Sequence, residues 1–205
     1  RDRVFACSQT GLLGFTMVVS AVPFLLPLLL QTSFGWNPVA AGWMVTFIFA
    51  GNIAVKPFTS PMLNLLGYRL VIWWAVLGLG VTAIILMAVP PGTAPWVLAL
   101  IAFLSGVFRS SGFTAIQTLA FATIDNTQRA AANVVASVNQ QVATALGVAL
   151  AVIGMAAGAA LSGATCAQAT FVIASVVAAL PAVLGVLAVV ALPRGAGNEL
   201  RTRAH

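Results

Sequence analysis

Apolar residues along this chain fall into six long stretches, without the strict alternation of a half-buried strand. Each stretch is about 17 residues or longer, which is enough for a helix to cross the hydrocarbon core of a bilayer. The pattern therefore predicts an all-α membrane protein with six transmembrane helices. The predicted unit covers residues 1–193, with spans at about 5–30, 39–55, 70–89, 95–124, 131–160 and 169–192, followed by a tail at 194–205.

Polar residues at membrane depth occur in spans one, two, four and five, whereas spans three and six are almost wholly apolar. The order polar, polar, apolar thus occurs twice. Because three is an odd number of spans, the second triplet enters the membrane from the opposite side. This arrangement predicts the inverted repeat of a secondary transporter, with its site near the midplane. The candidate substrate-path or gating residues are Arg109, Gln117, Gln140, Asn139, Asn133, Gln9 and Asn52.

Arg109 lies near the middle of the fourth span, where a charge costs roughly 2.5–3.5 kcal/mol on insertion scales. Such a residue faces the interior of a helix bundle or a water-filled cavity, in most cases with a partner. Three roles are open: pairing with a carboxylate elsewhere in the transporter, bonding backbone carbonyls or glutamines, or contacting an anionic group of a substrate. In the first span, Pro23 and Pro27 remove backbone donors and should bend or break the helix, and we expect neighbouring groups to satisfy the freed carbonyls.

Composition and charge support a membrane location. The chain is 61% hydrophobic and 6% charged, whereas a soluble domain has about 25% charged residues. The net charge of +6 does not indicate nucleic-acid binding, because the basic residues form no stripe. Instead, the basic residues outside the spans occur only at the two ends and in every second connector. The positive-inside rule therefore predicts both ends in the cytoplasm, with the spans in the inner membrane. The residues on that side are Arg1, Arg3, Lys56, Arg69, Arg129, Arg194, Arg201 and Arg203.

Three segments resemble the C-terminal six-helix half of a major facilitator superfamily transporter, and more narrowly the fourteen-span drug/proton antiporters. The loop from Ser60 to Arg69 is similar to the G-x-x-x-D-R-x-G-R signature of that family, and the segments 108–121 and 138–150 carry the rest. The loop has Ser60 and Asn64 where the signature has Gly and Asp, but it keeps a Gly and an Arg, Gly67 and Arg69. The loop therefore lacks the acidic residue with which the family pairs charges.

The resemblance implies proton-driven export of amphipathic small molecules by alternating access, with the bilayer and an N-terminal half of the same transporter as partners. This half has no membrane-depth carboxylate, so a proton carrier is expected in the other half. An enzyme is not indicated, because the sequence has no metal-ligand set and no nucleophile with a base. No cofactor or catalytic residue is expected. The alternatives are a non-transporting membrane scaffold or an inactive truncated remnant.

Overall fold

A computed structural model of the chain describes residues 2–122, 129–162 and 167–190, and these residues form α-helices without a strand. All six predicted apolar stretches are helical over their described residues, and a further short helix follows the second one. The helices are α1 (Asp2–Thr32), α2 (Pro38–Ala54), α3 (Lys56–Leu66), α4 (Tyr68–Ala88), α5 (Pro95–Ala122), α6 (Arg129–Ser162) and α7 (Ala167–Val190).

Helix α3 replaces the cytoplasmic connector that we expected between the second and third spans. Pro57 stands in its first turn, where the missing N–H of proline costs no hydrogen bond. Thr59 and Leu63, one turn apart, are buried against the bundle, while Asn64 is exposed. Gly67 ends the helix with φ 81° and ψ 152°, a conformation that is essentially restricted to glycine. The chain can therefore turn directly into α4, where Arg69 is half-buried in the first turn.

Among the described residues, four helices are long and apolar enough to cross a membrane: Cys7–Thr32, Tyr68–Ala88, Pro95–Phe121 and Arg129–Leu161. The pair α2 and α3, bent by 53° at their junction, is a fifth candidate. In α7, the apolar part Gln168–Pro181 is shorter than these candidate spans. These helices fit a multi-pass membrane protein, and six spans in a 3+3 repeat stay a prediction. The tail at 194–205 and the acidic connector residue Asp125 lie outside the described residues.

Helix α1 lies at the centre of the bundle and contacts α2, α4, α5, α6 and α7. Its helix is continuous through Pro23 and Pro27. The buried side chains form two hydrophobic clusters, one toward each end of α1. Leu25, Leu26 and Leu29 belong to one cluster with the ends of α4 and the start of α5, whereas Leu12 and Phe15 belong to the other.

Glycines allow three pairs of helices to approach closely. A Cβ added at Gly51 of α2 would lie 2.0 Å from the carbonyl oxygen of Phe103, and one at Gly106 of α5 would lie 1.9 Å from that of Ile48. On α6, a Cβ at Gly147 would lie 2.3 Å from the carbonyl oxygen of Met17. These are the small-residue contacts through which membrane helices associate without a hydrophobic driving force. Further along α6, Gly154 and Gly158 make the same kind of approach to α7.

Candidate functional site

Four helices and the start of α3 enclose a cavity of ≈ 240 Å³ beside Arg109. The helices are α1, α2, α5 and α6, which are the ones whose sequences carry the membrane-depth polar residues. Helices α4 and α7, which are almost wholly apolar, contribute no described residue to the lining. The lining residues are Thr16, Val19, Ser20, Asn52, Lys56, Arg109, Ser110, Phe113, Gln140 and Thr144.

Arg109 reaches from α5 to the backbone of α1. One of its terminal nitrogens donates a hydrogen bond to the carbonyl oxygen of Val19, at 3.4 Å. Val19 lies four residues before Pro23, whose missing N–H would otherwise pair with this carbonyl in the helix. The arginine therefore partly satisfies the acceptor that the proline leaves free. This was the kind of compensation expected for the prolines of the first span, although the distance is longer than the usual 2.7–3.2 Å of an N–H···O bond.

The second contact of Arg109 is with an aromatic ring. Its guanidinium carbon lies 5.6 Å from the centroid of the Phe49 ring on α2, within the roughly 6 Å at which a cation is attracted to a ring face. A guanidinium has five N–H donors, and one of them donates to a described atom. The guanidinium thus lies between α1 and α2. Its other N–H groups donate to no atom among the described residues.

Two buried hydroxyls in the cavity have no hydrogen-bond partner among the described residues. They belong to Thr16 of α1 and Ser110 of α5, and each side chain is 3% exposed. The other hydroxyls of the lining bond to nearby carbonyls: Ser20 to Met17 at 3.0 Å and Thr144 to Gln140 at 2.8 Å. A buried polar group without a partner costs free energy, so these two hydroxyls are unsatisfied in the packing of the described residues.

Gln9 and Asn139 join α1 to α6 at another position. The Asn139 side-chain amide donates to the Gln9 backbone carbonyl at 2.9 Å and to the Gln9 side-chain oxygen at 3.0 Å. The Gln9 side chain is 8% exposed, and its amide nitrogen has no described acceptor. Neither residue lines the cavity. Their geometry is that of an interhelical clamp.

The other predicted residues divide between the cavity and its surroundings. Asn52 and Gln140 line the cavity together with Arg109. Gln117 is half-buried on α5 and Asn133 is exposed near the start of α6, and neither is part of the lining. The loop residues Asn64, Gly67 and Arg69 lie at the junction of α3 and α4, also outside the lining.

Lys56 is a cavity residue that the sequence interpretation assigned only to a connector. It is the first residue of α3, directly after the end of α2, and its exposed side chain borders the same space as Arg109. The sequence signal that could have found it is Pro57, because proline next to a charged residue after an apolar helix is typical of a new helix start. The site therefore holds two cationic side chains.

The sequence profile of the Major Facilitator Superfamily matches residues 10–204. The chain belongs to this superfamily. The match covers the described helices α2 to α7 in full and α1 from Thr10 onward. The resemblance that the loop and the segments around Arg109 and Asn139 indicated is therefore confirmed at the level of the family.

Several curated bacterial proteins that carry the name multidrug resistance protein MdtD are similar to the chain. The protein from Escherichia coli O6:H1 is 27% identical over 151 residues, which is 74% of this chain and 32% of the relative. Those from Pectobacterium carotovorum and an Enterobacter species are 29% and 30% identical over 147 and 144 residues. The chain thus spans about a third of the length of these relatives. No solved structure matches it.

Proposed function

We propose that this chain forms a six-span half of a transporter that exports amphipathic small molecules across the inner membrane. The observation that carries the proposal is the cavity at Arg109, into which all four polar helices contribute side chains and the two apolar helices none. A packing role for scattered polar residues would not require them to converge on one space. A transporter does require this, because its substrate site is a polar cavity within an apolar bundle.

Part of the helix packing supports the inverted repeat, although the contact of α6 with α7 has no comparable counterpart between α2 and α4 among the described residues. If α1, α2 and α4 correspond to α5, α6 and α7, the contact of α2 with α5 corresponds to that of α6 with α1. In the same way, the contact of α4 with α5 corresponds to that of α7 with α1. All four contacts are present. The pairs α1–α5 and α4–α7, each of which is its own counterpart, are in contact as well.

An exposed polar face on α6 supports the presence of a second half. Asn133, Ser137, Gln140 and Thr144 recur at helical spacing, and all four side chains are exposed. In a membrane such a face needs water or protein beside it, because lipid offers no hydrogen-bond partner. We propose that a second set of spans in the same transporter covers this face and that the cavity widens between the halves. The aligned part of the chain covers 32% of the relative from Escherichia coli O6:H1, which is consistent with a larger assembly.

Alternating access follows from this arrangement. Rocking of one half against the other would open the cavity to each side of the membrane in turn. The positive-inside rule places the basic ends of the helices, including Lys56, in the cytoplasm. We further propose proton coupling, with the proton carrier outside this chain, because none of the ten residues that line the cavity is acidic.

Replacing Arg109 tests the proposed transport function. We expect Arg109→Ala to abolish export, because the cavity loses the cation at its centre, while membrane insertion is retained. The transporter as encoded is expressed in cells, and the cellular accumulation of a panel of fluorescent amphipathic dyes is measured together with the amount of protein in the membrane. Arg109→Gln is the second variant, since it removes the charge and keeps an amide donor at this position.

The matched control is Arg129→Gln, which removes an exposed arginine at the start of α6, outside the cavity. Cells with the control variant should exclude the dyes as the wild type does. Dye accumulation at the wild-type level in cells with Arg109→Ala would contradict the assignment of Arg109 to the transport path. If the wild type excludes no dye, the chain belongs to a non-transporting scaffold.

A further inference from the structure

The charge of the Arg109 cavity sets what it can bind. Two cationic side chains, Lys56 and Arg109, border it, and none of its ten lining residues is acidic. We propose that this cavity is an anion site, which takes a carboxylate or a similar oxyanion near the middle of the membrane. The inference rests on the proposed function and narrows it, because a site built in this way favours the anionic end of a ligand.

The contacts of Arg109 do not neutralise its charge. The Val19 carbonyl is a dipole that accepts one N–H at 3.4 Å, and the Phe49 ring is a weak partner at 5.6 Å. The remaining guanidinium donors have no acceptor among the described residues. A carboxylate fits this situation, because it accepts two parallel N–H bonds from one guanidinium.

The two unpaired hydroxyls supply further donors on the same cavity. Ser110 follows Arg109 on α5, and Thr16 lies on α1 one turn before Val19. Both side chains are almost fully buried, both line the cavity, and neither hydroxyl has a partner among the described atoms. Both hydroxyl oxygens are inaccessible to a water molecule, so each must rotate about χ1 before it can donate to a bound anion. Asn52 and Gln140 add amide donors from α2 and α6 that line the space directly.

The size of the cavity indicates which part of a ligand it holds. Sites for drug-sized molecules have about 300–1,000 Å³, and this cavity has ≈ 240 Å³. It is therefore large enough for an anionic group with a ring attached, but small for a whole amphipathic drug. The apolar part of the ligand would lie beyond the cavity, in the space shared with the other half of the transporter.

An anionic group can come from two sources. It is either the carboxylate of a transported molecule or a carboxylate side chain from another part of the transporter that enters the cavity. Both give the same chemistry at Arg109. A binding experiment separates them, because a side chain that already occupies the cavity would compete with an added ligand.

The test uses 1-naphthoate and its uncharged analogue 1-naphthamide as probes. Binding to the purified transporter is measured by titration calorimetry for the wild type, Arg109→Gln, Lys56→Gln and the control Arg129→Gln. We expect the wild type and the control to bind naphthoate about tenfold or more tightly than naphthamide, because charge-assisted hydrogen bonds are roughly twice as strong as neutral ones. Arg109→Gln should bind the two probes equally, whereas Lys56→Gln should keep a smaller preference for naphthoate, because Arg109 is retained.

If the wild type shows no preference, the second source is tested by thermal unfolding. A carboxylate side chain in the cavity predicts that Arg109→Gln unfolds at a lower temperature than Arg129→Gln. Changing one membrane-embedded Asp or Glu elsewhere in the transporter to its amide should then reverse the loss. No preference together with no such reversal would overturn the anion site.

The outcome for the anion site is separable from that for export. If naphthoate is preferred but cells with the wild type accumulate all dyes, the anion site stands and the export function fails. If the dyes are exported but Arg109→Gln and Lys56→Gln leave the binding of both probes as in the control, export stands and the anion site is wrong.

Discussion

At the scale of single residues, Arg109 compensates in part for the backbone hydrogen bond that Pro23 removes. Proline at position 23 leaves the Val19 carbonyl without its helical N–H, and Arg109 donates to this carbonyl from the neighbouring helix. A charge near the middle of a membrane helix costs roughly 2.5–3.5 kcal/mol, so it persists only where the bundle holds it. Here one backbone acceptor, one ring and a polar cavity surround the guanidinium.

The clamp between Gln9 and Asn139 gives a prediction at the same scale. We expect Asn139→Ala to lower the free energy of unfolding by about 0.6–2 kcal/mol, the range found for interhelical hydrogen bonds in membranes. Denaturant unfolding in detergent measures it. The control is Gln141→Ala, an exposed position on the same helix. In a cycle with Gln9→Ala, effects that simply add would contradict the clamp.

The sequence predicted part of the site because depth and polarity can be read from it. Asn52, Arg109 and Gln140 lie at depths that meet in the cavity. Asn133 lies seven residues before Gln140, about 10 Å along the axis at 1.5 Å per residue, so it shares the face but lies beyond the space. Gln117 is displaced along α5 by a similar distance. How far a cavity extends depends on how neighbouring helices are rotated, which no single helix specifies.

At the scale of helices, α3 is the element that the sequence interpretation did not anticipate. The stretch from Lys56 to Leu66 is too short and too polar to read as a span, so its basic residue was assigned to a connector. Its helical form depends on the burial of Thr59 and Leu63 against the bundle, and this tertiary contact is not visible in the local pattern. By contrast, the face of α6 that carries Gly147, Gly154 and Gly158 could be predicted, because the spacing alone places these small residues on one side of the helix.

The contact of α2 with α5 gives a prediction for this scale. We expect Gly51→Ala to lower the free energy of unfolding by about 1–3 kcal/mol, the usual cost of overpacking, because the new methyl would lie 2.0 Å from the Phe103 carbonyl oxygen. Thermal unfolding in detergent measures it. Gly42→Ala, on the same helix with no atom within 4 Å of its added Cβ, is the control. Equal stability of the two variants would contradict the close approach.

At the scale of the whole molecule, the alternation of basic and uncharged connectors predicts a topology. With six spans, this topology would put Asn64 on the cytoplasmic side and Pro91, in the loop between α4 and α5, on the other side. We expect a membrane-impermeant maleimide to label Pro91→Cys in intact cells and Asn64→Cys only after the cells are opened. Both variants are made in a background with Cys7→Ser and Cys166→Ser. Labelling of both positions in intact cells would contradict the predicted topology.

The glycine contacts also bear on which helices are free to separate. Helices α2 and α5 touch through Gly51 and Gly106, and α1 touches α6 through Gly147, so each of these pairs is closely packed. The cavity is lined by both pairs, and the hydrogen bond from Arg109 to Val19 joins one pair to the other. Any separation of the two pairs would therefore break this hydrogen bond and change the cavity.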